Sequence, residues 1–96
     1  MSDAYARARA ERRQGPPITH VLKTWPTHYG AVISGAKSFE VRKADRDFKV
    51  GDLLHLVEWD PDKECYTGPS AIRSVTYILP GGQFGIEAGY VVLGIR

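Results

Sequence analysis

Residues 30 to 43, GAVISGAKSFEVRK, hold the densest group of side chains able to do chemistry in this chain. Gly30 and Gly35 stand five apart, and Lys37 and Ser38 follow with Ala36 in between. That is close to the spacing of a loop that cradles phosphates with backbone N–H groups and a lysine. Two further charged residues, Glu40 and Arg42, come directly after. A lysine and an arginine can meet an anion, the arginine with two parallel hydrogen bonds, and a glutamate can accept from amines or hydroxyls or activate water.

The phosphate-loop reading fails on order. Such a loop follows a buried strand and opens a helix. Here the pattern runs the other way: PTHYGAVISG has a helical stripe of Tyr29, Val32 and Ile33 with proline at its start, and KSFEVRK alternates as a strand. A metal site has little support either. His20, His28, His55 and Cys65 lack the paired spacing that zinc ligands show. No G-x-S-x-G frames a nucleophilic serine. Period-two alternation puts Phe39 and Val41 inward and Ser38, Glu40 and Arg42 on the opposite face. From spacing alone that face is either a ligand site or a solvated surface with a salt bridge worth under about 1 kcal/mol.

The elements that must position these residues follow from the flanking sequence. ITHVLKTW is β-branched and aromatic and stops at Pro26, so it reads as a strand. After KSFEVRK, Val50-Gly51-Asp52 makes a tight turn, LLHLVEWD a strand and DPDKECYTGP a hairpin loop. SAIRSVTYIL is a further strand, PGGQFGIEAG a glycine-rich loop, and YVVLGIR a closing strand with consecutive apolar residues, as if covered on both faces. Strands at this spacing with one clear helix predict a small α+β, β-rich barrel over residues 18–96, closed so as to leave no edge. Residues 1–17, MSDAYARARAERRQGPP, lack the apolar groups to dock and predict a mobile basic arm.

Composition bounds the function. Ninety-six residues, 43% of them apolar and 25% charged, make one ordinary globular domain with a modest core. No apolar run approaches a membrane span, and the first residues are charged where a secretory leader is apolar, so a cytoplasmic location and no membrane partner are expected. The single Cys65 excludes an intrachain disulfide. The net charge is +2, and the arm supplies it with four arginines against two acids. Residues 18–49 carry six basic groups against three acidic, and residues 50–96 three against six. A protein that grips nucleic acid by bulk charge is more basic than this, so any polyanion contact has to be local.

The stretch G-A-K-S-F-E-V-R resembles the G-x-K-x-x-E-x-R signature of the ASCH superfamily, barrels related to PUA RNA-binding domains. The wider run of H-V-L-K-T-W-P, D-R-D-F-K-V-G-D-L-L, D-P-D-K-E-C-Y-T-G, V-T-Y-I-L and G-Y-V-V-L-G-I is similar to a small prokaryotic and phage branch known as a domain of unknown function. The resemblance covers residues 18–96. It implies a PUA-like barrel of five to six strands with one or two short helices, and a cleft beside the first helix suited to RNA or a nucleotide. In that cleft Gly35 would close the helix, Lys37 would reach in, and Glu40 and Arg42 would line the floor. The branch pattern adds His20, Lys23, Asp45 and Arg46. Trp25, Tyr29 or Phe48 could stack on a base, although in so small a domain core packing is the first expectation for each. The resemblance implies no cofactor.

Two functions compete. The first is a module that binds RNA or a nucleotide in the cleft, helped by the basic arm. The second is an amidohydrolase acting on acylated nucleosides, as in some ASCH relatives, which use the signature lysine, a threonine and a separate glutamate. Lys37 fits that set, but Glu40 stands in place of the threonine, and Glu58 and Glu87 compete for the last role. Lys37 and Glu40 would then be the catalytic pair, with Glu40 as general base and Lys37 polarising the carbonyl. A domain that only makes protein contacts is a third possibility.

Overall fold

A computed structural model describes residues 11–96. Among them run five strands and one short helix: β1 (Thr19–Thr24), α1 (Pro26–Ile33), β2 (Phe39–Lys43), β3 (Leu53–Asp60), β4 (Cys65–Pro80) and β5 (Tyr90–Ile95). They form one mixed sheet in the order β1-β3-β4-β5-β2, with β1 parallel to β3 and every other pair antiparallel.

β4 gives the sheet its shape. Its first part pairs with β3 as far as Ser74, and from Val75 it pairs with β5. The register slips between Val75 and Tyr77, and again on β3 between Val57 and Trp59. Such irregularities bend a strand and increase its twist. One long strand thus serves two half-sheets, and the two outer strands, β1 and β2, face each other across a seam.

The expected barrel is not closed by backbone pairing, because β1 and β2 remain the two edges of the sheet. Side chains cross the seam instead. Ile18 C=O is turned toward β3, where it accepts from Leu53 N–H, so the carbonyls of Val21 and Lys23 fall on the outer edge. Arg42 Nη1 donates to Lys23 C=O at 2.9 Å and Arg46 Nη1 approaches Val21 C=O at 3.5 Å. Guanidinium groups occupy places that a neighbouring strand's N–H groups would take in a closed sheet.

The core lies inside the curve. Leu54, Leu56 and Leu93 are fully buried, with Leu22, Val32, Phe48, Val75, Val91 and Ile95 around them. Each such side chain contributes roughly 1.5–3 kcal/mol by leaving water. β5 buries only alternate residues, Val91, Leu93 and Ile95, so its second face is less covered than its apolar run suggests. The hairpin connection is also shorter than the sequence implies, since β4 begins at Cys65.

The end of the N-terminal arm is docked where mobility is expected. Arg12 bridges to Val50, and Arg13 donates to both oxygens of Asp52 at 3.0 and 2.8 Å. The remainder of the arm, with Arg7 and Arg9, lies outside the described residues.

Candidate functional site

Local sequence delivers the three signature side chains to the seam. Pro26 fixes the first turn of α1, and Trp25 precedes it in extended conformation with φ −65° and ψ 149°. Tyr29 and Val32 anchor the helix on the sheet. Gly35 then takes a left-handed φ of +85°, which a side chain would resist, and Lys37 N–H returns to Ala31 C=O at 3.0 Å. The chain therefore leaves α1 with Lys37 already at the mouth of β2.

β2 is inverted relative to its expected orientation. Glu40 is the inward residue, 3% exposed, whereas Phe39 and Val41 face out at 44% and 51%. Phe39 and Val41 lie on the outer face of β2, and its inner position is filled by an ion-pair network rather than by carbon. Glu40 Oε1 accepts from Lys37 Nζ at 2.9 Å, and Oε2 accepts from Arg42 Nε at 3.1 Å. Arg42 continues across the seam to Thr24 Oγ1 at 3.1 Å, and Thr24 donates to Leu22 C=O at 3.3 Å. A buried carboxylate held by two cations fixes both cation positions, while each keeps N–H donors beyond these bonds.

Above the network lies a cleft of about 570 Å³. Lys37, Glu40 and Arg42 line it together with Lys23, Thr24 and His28, and exposed Trp25, Phe39 and Val41 form its apolar wall. Three cations against one carboxylate leave the cleft two charges positive. Lys23 stands with its Nζ 3.8 Å from the Trp59 ring centroid and 5.8 Å from that of Tyr66, an ammonium steadied by two aromatic faces.

The remaining expected residues separate. His20 is not at the cleft: it is buried, its Nε2 2.9 Å from Asp52 Oδ2, with its ring against Phe48 at 4.7 Å. Period-two alternation on β1 turns His20, Leu22 and Thr24 inward together and Lys23 outward. Arg46 and Asp45 lie further along the seam, 3.4 Å apart. Of the aromatic candidates, Trp25 faces the cleft while Tyr29 and Phe48 are core. Sequence reasoning missed Thr24 and the aromatic pair around Lys23. The alternation places Thr24 inside, but nothing local signals that its hydroxyl meets Arg42, eighteen positions away.

The acids that hydrolysis would call on are paired or stand away from the cleft. Both oxygens of Glu40 accept from cations. Glu58 accepts from Thr67, and neither Glu58 nor Glu87 lines the cleft. Among the described residues no group of three or more His, Cys, Asp or Glu side chains is placed to hold a metal ion.

A family model described as a domain of unknown function, DUF3850, matches residues 19–95, which includes every strand, the helix and all the cleft residues. No curated protein matches the chain.

Proposed function

Because the chain belongs to the DUF3850 family, whose description assigns no activity, we propose from the cleft that it is a binding module for RNA or a nucleotide. The observation that carries this reading is the buried Glu40, which holds Lys37 and Arg42 beside an exposed aromatic wall. The cations would meet a phosphate and Trp25 would stack on a base. Arg42 keeps its fork oriented through Glu40 and Thr24, so little side-chain freedom remains to be lost on binding. The resemblance of G-A-K-S-F-E-V-R to the ASCH signature supports the same reading, and with it a sheet of PUA-like descent whose barrel is completed by arginine side chains.

Isothermal titration of a hexauridylate and of uridine 5′-monophosphate against the full chain tests the proposal. Binding is expected to weaken at least tenfold in Lys37→Ala and to weaken with added salt. Absence of binding by either probe, or binding indifferent to Lys37→Ala and to salt, would overturn it.

A further inference from the structure

A second hollow of about 450 Å³ adjoins the first along the seam. Lys23 and Arg42 line both, so the divide between them is itself cationic. Beyond it stand Lys43 and Arg46, with Asp45 as the one acid, and Tyr66, which is 54% exposed. Four cations against one carboxylate give this hollow an excess of three positive charges. Much of the chain is otherwise balanced or acidic: residues 50–96 carry six acids against three bases.

Similar residue types line both hollows. The first hollow offers an exposed Trp25 and then Lys37 and Arg42; the second offers an exposed Tyr66 and then Lys43 and Arg46. Each contains an exposed aromatic face and a pair of cations, with Lys23 and Arg42 lining both; Phe39 adds to the wall of the first and buried Phe48 to the floor of the second. A strand of nucleic acid repeats the matching pair, a base and a phosphate, once per nucleotide. A free mononucleotide or a simple anion has no use for the repeat.

Both ends of the second hollow are also held in place. Tyr66 packs edge-on against Trp59 at 4.9 Å, and Arg46 is directed toward Val21 C=O with its guanidinium carbon 6.0 Å from the Phe48 centroid. From Val21 to Trp25 the edge runs four residue steps, roughly 13 Å at about 3.3 Å each, and a stacked strand advances about 3.4 Å per nucleotide. The two hollows together are long enough for several nucleotides.

We infer that the two hollows are consecutive subsites for single-stranded RNA, with a phosphate between them at Lys23 and Arg42 and the next one at Lys43 and Arg46. This rests on the nucleotide-binding reading of the first hollow and extends it from one nucleotide to a chain.

The test compares hexauridylate with uridine 5′-monophosphate by isothermal titration, on the full chain and on Lys43→Ala, Arg46→Gln and Tyr66→Ala variants, each checked for folding by its thermal midpoint. The full chain is expected to prefer the hexamer by at least tenfold. Each variant should lower the ratio of hexamer to mononucleotide affinity severalfold. Loss of either cation should also flatten the salt dependence of hexamer binding, by a log–log slope of about 0.7 per phosphate contact removed. Equal affinity of the full chain for the two probes, or a hexamer preference that survives all three substitutions, would overturn the second subsite and leave the first standing. Failure of both probes to bind would remove the underlying reading as well.

Discussion

Glu40 is the residue on which the cleft turns. It is an acid at the bottom of a cleft with a net positive lining, and it holds two cations in place. Replacing it with glutamine keeps the shape but leaves Lys37 and Arg42 without their counter-charge. Breaking a buried ion pair from one side is costly, and with partly exposed partners we expect Glu40→Gln to lose about 2–3 kcal/mol, measured from the urea midpoint. Ligand affinity should fall as well, because freed cations must be ordered again on binding. Trp25 predicts the opposite split. At 56% exposure its truncation should change stability little, while loss of a stacked base costs roughly 1–3 kcal/mol of affinity, measured by titration of hexauridylate.

At the level of elements, the docked end of the arm depends on one carboxylate. Asp52 is fully buried at the turn before β3 and accepts from Arg13, from His20 and from the N–H groups of Ile18 and Lys49. Burial pushes its pKa up, but those bonds together outweigh burial and hold the carboxyl well below the usual carboxylate range. A depressed folded pKa adds stability that is complete above the unfolded value of about 3.9 and is lost as pH falls through the folded one. Asp52→Asn is therefore expected to destabilise the fold by about 3 kcal/mol near neutrality, and the gap to the natural chain should narrow as urea titrations move below about pH 4. The glycine-rich loop before β5 has its own requirement. A Cβ on Gly81 would lie 2.1 Å from Glu87 C=O and 2.5 Å from Tyr90 C=O, both backbone atoms. Gly81→Ala should displace the loop and lower the thermal midpoint by several degrees.

Across the whole molecule, what could be read from the chain was what neighbours in sequence settle. β-Branched, aromatic and apolar runs bounded by turn residues marked β1, β3 and β5; Pro26 and Gly35 bracketed α1; and the G-x-K-x-x-E-x-R spacing picked out Lys37, Glu40 and Arg42 together. Periodicity fails for β2, because alternation fixes which residues share a face and leaves open which face is inside. A glutamate ion-paired on the inner face reverses the usual answer. His20 and Lys23 both looked like ligands three positions apart, yet the pleat sends one to Asp52 and the other to the cleft. The docking of Arg13, the bridge from Arg42 to Thr24 and the meeting of β1 with β2 join residues 39, 18 and about 20 positions apart. The contacts between β1 and β2 exist only once β4 bends and carries the two half-sheets toward each other, and Arg13 meets Asp52 only when the arm folds back onto the turn before β3. Types and spacings were therefore enough to name the charged groups, while the hollow they share is made by long-range curvature, which no short stretch of sequence encodes.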